Sequence, residues 1–202
     1  MIYRENIEWL DIWVPAASEC VRPRVLLVGD SITRSYYPYV QERLAGRYAC
    51  ARIASSKCVA DPMYLRELEL ILDEYEFACI HFNNGLHGWG YYEPTYAAAL
   101  KETFDRLVAY CGASHLIWAS TTPVWTEGDE KTLATKTERV RERNRIAAEL
   151  AASCSVLVND LFSHVVEQPD LFSEDGVHFV EAGQITLGRQ VADAILARMD
   201  NR

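Results

Sequence analysis

The 202-residue chain has 29 acidic and 20 basic residues, a net charge of −9, and half of its residues are hydrophobic. This balance suits one globular domain and argues against a nucleic-acid partner, because phosphate contacts need concentrated Lys and Arg. No apolar run approaches the roughly 18 residues a bilayer span needs, and Met1–Trp9 carries acids where a signal peptide carries cations, so a cytoplasmic protein without a membrane partner is expected.

Residues 1–22 read as an arm packed on the domain through Trp9, Leu10, Ile12 and Trp13, and residues 23–202 as the domain itself. Arg24–Gly29 is an apolar run ending in glycine, the pattern of a buried parallel strand. Helical spacing follows over Tyr36–Tyr48, then a second strand over Ala49–Ala54. Asp61 and Pro62 have the chemistry of an N-cap and first helical residue, opening a helix striped by Met63, Leu65, Leu68, Ile71 and Leu72. A third strand, Phe77–Phe82, runs into Asn83, Asn84 and Gly85, and Pro94–Tyr110 is helical. The remaining elements are a strand over His115–Ala119, a charged helix over Leu133–Ser153, a strand over Ser155–Val158 and a closing helix over Glu181–Met199. In the charged helix, Arg139, Arg141, Arg143 and Arg145 alternate with Glu138 and Glu142 and read as a solvated face. Cys20, Cys50, Cys58, Cys79, Cys111 and Cys154 form no CxxC pair or metal-ligand spacing, so reduced thiols are expected, mostly in apolar surroundings.

Each parallel crossover needs a helix, so this alternation implies a doubly wound α/β three-layer sandwich around a five-stranded parallel sheet. Ligands of such sheets bind beyond the carboxyl ends of the strands. Ser31, in Gly29-Asp30-Ser31-Ile32, follows the first of the parallel strands directly. A serine there has a helix N-terminus at its back to stabilise a developing oxyanion, although Asp30 or Ser31 could simply cap that helix. Just before the last helix, Asp175-Gly176-Val177-His178 puts a carboxylate and an imidazole three residues apart on a tight turn. The carboxylate can hold Nδ1–H while the other ring nitrogen takes a proton from a hydroxyl.

These two motifs, in this order and separation, resemble the first and last conserved blocks of the SGNH/GDSL hydrolases over about residues 23–198, and Asn144 and Glu181-Ala182-Gly183 also fit the family pattern. The resemblance implies a flavodoxin-like fold and an esterase, lipase or carbohydrate deacetylase. Ser31 would be the nucleophile, His178 the base and Asp175 its orienter, acting on a small-molecule ester without a metal or organic cofactor.

The middle blocks depart from the family. Where it has a glycine after the second strand, this chain has Ser55-Ser56-Lys57-Cys58, so the oxyanion-facing N–H falls to Cys58 or Lys57. Cys58 is also open to reading as a second nucleophile or as a buried thiol. Where the family has Gly-x-Asn-Asp, this chain has Gly85-Leu86-His87, which puts His87 in the place of the donor asparagine; the rival alignment chooses Asn84. Asp30 and Asn84 are assigned to the substrate side. Trp89, Tyr91, Tyr92, Tyr96 and Trp125 either wall a pocket or pack the loops. Three other readings use the same sheet edge: a silent ligand-binding relative, an acyltransferase, and a phosphate binder, for which Gly29 alone makes a poor cradle.

Overall fold

The computed structural model describes residues 1–18, 21–128 and 131–200; Cys20 lies outside these. Six strands form one sheet in the order β1-β3-β2-β4-β5-β6. They are β1 (Leu10–Trp13), β2 (Arg24–Gly29), β3 (Ala49–Ser55), β4 (Cys79–Phe82), β5 (Leu116–Ala119) and β6 (Leu157–Asn159). The last five strands run parallel, as the strand-helix alternation implies. The sixth is an addition to the expected sheet: β1 pairs antiparallel with β3, Leu10 opposite Ser55 and Trp13 opposite Arg52. At four residues, with Leu10, Ile12 and Trp13 all exposed, β1 shows none of the alternation that marks a half-buried strand.

Side chains of β2 alternate between two cores, Val25 and Leu27 in one, Leu26 and Val28 in the other, so both faces of the sheet are covered. On the first face lie α1 (Ser31–Leu44), α5 (Leu161–Val165) and α6 (Glu181–Asp200). The second is covered by α2 (Tyr64–Leu72), α3 (Glu93–Cys111) and α4 (Lys136–Ser153). Cys50, Cys58 and Cys79 are buried free thiols, and Cys111 and Cys154 are half-buried ones. Among the described residues, no helix is long and apolar enough to cross a membrane.

The starts of α1, α2 and β6 differ from the sequence reading, each for a local reason. Helix α1 starts at Ser31 rather than Tyr36, because Asp30 Oδ1 accepts Ile32 N–H at 2.9 Å and caps the helix at once. Helix α2 starts at Tyr64, since Asp61 caps only the turn before it: Oδ1 accepts Met63 N–H at 2.8 Å, while Oδ2 pairs with Arg4 at 2.8 Å. Strand β6 begins at Leu157, because Ser155 (φ 58°) turns the chain out of α4 in a left-handed conformation.

The chain moves outward from β2 to β3 and then crosses back to β4, which puts a topological switch point beside β2. Ser31 therefore stands at the centre of the carboxyl edge. The loop after β3 lies on one side of it and the loop after β4 on the other.

Candidate active site

Ser31 is the first residue of α1, where a backbone N–H has no partner within the helix and points outward. Capping and exposure are thus divided between neighbours: Asp30 is 1% exposed and caps, while Ser31 faces the open edge. This removes Asp30 from the substrate side. Its Oδ2 is buried and has no partner among the described residues.

Ser31 Oγ lies 2.9 Å from His178 Nε2, and His178 Nδ1 lies 2.6 Å from Asp175 Oδ2. With Nδ1 turned to a carboxylate, the imidazole proton belongs there, leaving Nε2 to accept from the serine hydroxyl. The turn builds the pair locally. Asp175 Oδ1 accepts the N–H groups of Val177 and His178, each at 2.9 Å, which fixes the carboxylate under the ring. Burial works to raise the Asp175 pKa, but the hydrogen bonds from His178 and the two N–H groups prevail and bring it down to about 2. Gly176 has φ 69°, and a Cβ there would stand 2.3 Å from Trp125 O, so the turn requires glycine. Trp125 N–H donates to Gly176 O at 2.8 Å, and its ring packs on Phe172, so Trp125 supports the histidine loop. Both side chains of the pair remain about half exposed, at 47% for His178 and 49% for Asp175.

On the β3 side, Asn84 is buried and both ends of its amide are engaged. Nδ2 donates to Lys57 O at 2.8 Å and Oδ1 accepts Val59 N–H at 3.1 Å. Asn84 is therefore a brace across the Lys57–Val59 loop rather than a free donor or a substrate contact. The N–H between those two anchors belongs to Cys58. Its thiol is buried and its pKa is raised by that burial, which suits a packed thiol and not a second nucleophile.

On the β4 side, the structure corrects the reading of α4 as a solvated face. Arg143 is 0% exposed and donates to the carbonyls of Gly85 (2.9 Å), His87 (2.7 Å) and Gly88 (3.2 Å). Arg139, one turn earlier, donates to Trp89 O at 2.6 Å and Tyr91 O at 2.7 Å. Trp89 lies against both guanidinium groups, and Tyr91 and Tyr96 are buried, so these aromatics pack the loop, while Tyr92 is exposed. Arg141 and Arg145, on the other face, stay partly exposed. Sequence spacing contained the signal: positions 139 and 143 are one helical turn apart and share a side.

The imidazole of His87 is met by the N-terminal arm, with Nδ1 3.2 Å from Glu5 Oε1. The one proton of an uncharged ring is then turned to the carboxylate, and Nε2 is left with a lone pair. In that form Nε2 accepts a hydrogen bond, whereas the oxyanion role expected of His87 needs a proton on Nε2.

The fold is an α/β/α sandwich with a serine after a central strand and an Asp-x-x-His turn before the last helix. No family model matches the sequence, and no curated protein does. Solved structures match the fold over most of its length. A GDSL-like lipase from Bacteroides thetaiotaomicron superposes with a TM-score of 0.70 at 15% identity, over 90% of this chain and 94% of that one. A carbohydrate acetylesterase from Sinorhizobium meliloti gives 0.68 at 17% identity, over 87% and 99%. An acetylxylan esterase from Geobacillus stearothermophilus gives 0.66 at 18% identity, over 86% and 94%.

Proposed function

We propose that the protein is a serine esterase that cleaves a small carboxylic ester through an acyl-enzyme on Ser31. The observation that carries this reading is the continuous chain from Ser31 Oγ through His178 to Asp175, at 2.9 and 2.6 Å. In the first half-reaction, Ser31 Oγ attacks the ester carbonyl while His178 Nε2 takes its proton. Asp175 stays ionised, holds the ring and stabilises the imidazolium. Collapse of the tetrahedral intermediate passes that proton to the leaving alcohol. Water then attacks the acyl-serine, giving its proton to Nε2, and the acid departs as Ser31 is restored.

The oxyanion is met by backbone: the Ser31 N–H at the helix N-terminus and the Cys58 N–H held by Asn84. Removing one such donor elsewhere costs roughly 10²–10³ in rate, so the bracing of this loop bears directly on turnover. The acetylesterases among the structural neighbours favour a small acyl group such as acetyl, and the exposure of the dyad leaves the deacylating water free access. Ser31→Ala tests the reading: ester hydrolysis should vanish while the melting temperature stays within a degree or two. Retained hydrolysis by that variant would rule it out.

A further inference from the structure

The loop after β3, which lacks the family's glycine, is pinned by a closed circuit of polar groups. Glu67, a buried acid in α2, accepts Ser55 Oγ–H at 2.6 Å. With its proton turned to that carboxylate, Ser55 Oγ accepts Lys57 N–H at 3.1 Å. The Lys57 side chain closes the circuit: its Nζ lies 3.0 Å from Glu67 and 2.7 Å from Glu8 of the N-terminal arm. Burial works to lower the Lys57 pKa, but the two carboxylates prevail and raise it, so the ammonium stays charged between them. Trp9, next to Glu8, pairs with Ser56 in both directions: Trp9 N–H donates to Ser56 Oγ at 3.0 Å, and Ser56 N–H to Trp9 O at 3.2 Å.

Lys57 is thus tied at its N–H, at its side chain and, through Asn84 Nδ2, at its carbonyl. The Lys57–Cys58 peptide is trans, so its C=O and N–H point in opposite directions. Holding the carbonyl on Asn84 therefore sets the direction of Cys58 N–H, the donor assigned above to the oxyanion. No residue from Ser55 to Val59 has a positive φ, so this path needs no glycine. Gly29 lies opposite Ala54 in the β2–β3 ladder, and Ser31 and this loop leave the sheet side by side. We infer that Lys57 and Glu67 are positioning residues for the Cys58 donor, and that Glu8 brings the N-terminal arm into the same circuit. On the esterase reading above, on which this rests, the arm then governs the rate of the chemical step rather than the binding of substrate.

The test measures hydrolysis of p-nitrophenyl acetate by the full chain, together with inhibition by a trifluoromethyl ketone. Ser31 Oγ adds to that ketone to give a tetrahedral oxyanion. Both half-reactions pass through such an oxyanion, so Lys57→Met should lower kcat about tenfold, part of the roughly 10²–10³ that one donor supplies, with KM unchanged. Affinity for the ketone should fall by the same factor. Lys57→Arg should recover most of the loss, because a guanidinium still pairs with both carboxylates. Glu8→Ala should lower kcat about threefold, and the double variant should be no worse than Lys57→Met alone, because both act through one circuit. Glu8 is the more exposed end of that circuit, so this variant reports even where Lys57→Met fails to fold. Unchanged kcat and ketone affinity in Glu8→Ala would overturn the inference. A lower melting temperature in Lys57→Met with kcat and ketone affinity retained would make the circuit merely structural and overturn it too. So would a raised KM at constant kcat, which would make Lys57 a substrate contact. An unaltered protein that leaves the aryl ester intact would overturn the esterase reading, and the inference with it.

Discussion

The Asp175–His178 turn and the segment from His81 to Tyr91 border the same sheet edge but are held in opposite ways. The turn is half exposed and fixes its own catalytic pair, with Trp125 N–H donating to Gly176 O as its one remote backbone support named above. Its carboxylate is fixed by N–H groups two and three residues on, and its ring by the same carboxylate. The segment leaving β4 takes its shape from remote elements. Arg139 and Arg143 of α4 hold its carbonyls, Asn84 ties it to the β3 loop, and Glu5 of the arm holds its histidine. A turn whose contacts are local keeps its geometry wherever the chain places it. A segment held from a distance is only as well formed as the whole domain.

The largest expected effect falls on the self-contained turn and concerns rate alone. Asp175→Asn should reduce kcat by roughly 10³–10⁴, because the amide no longer fixes the ring tautomer or the imidazolium, with little change in stability. A comparable loss of stability would show that the turn is less independent than its contacts indicate. Arg143→Met should do the reverse. It strips a buried cation from three carbonyls, so unfolding in urea should show a loss of about 3 kcal/mol.

Acid should also act on the second region before the first. His81 is fully buried in β4, its Nε2 accepts from Asn159 at 3.1 Å, and burial lowers its pKa to about 3. The unfolded chain takes up a proton near pH 6.5, the ordinary histidine value, which the folded chain refuses until about pH 3. Stability from this residue is therefore complete above pH 6.5 and declines as pH falls toward 3, which melts at pH 7, 5.5 and 4 will show. His81→Gln should flatten that part of the profile. The smallest effect belongs to Arg145, on the outer side of the helix that carries Arg143. Its pairs with Glu142 and Glu149 are exposed and screened by solvent, so Arg145→Ala should leave the urea unfolding midpoint where it is.

The same contrast explains what could be read before the structure was in hand. Five parallel strands and the triad candidates were legible because each rests on local pattern: apolar runs, a serine just past a strand, and an Asp and a His three residues apart. The sixth strand was not, since β1 is a short edge whose apolar side chains lie on both sides. Nor was the setting of His87. Its partner Glu5 lies 82 positions earlier in the chain, and Asn84 is engaged by backbone 25 to 27 positions away. No spacing rule links residues so far apart. Arg143 falls between the two cases: its separation from Arg139 was visible, but a row of alternating charges reads as solvated until five loop carbonyls are seen to be met from one helix face.

The most direct test of the central claim is covalent labelling of the intact protein by a fluorophosphonate, read by peptide mass. The account predicts one adduct, on Ser31, formed rapidly by the unaltered chain and very slowly by His178→Ala. An unmodified Ser31, or equal labelling with and without His178, would contradict it.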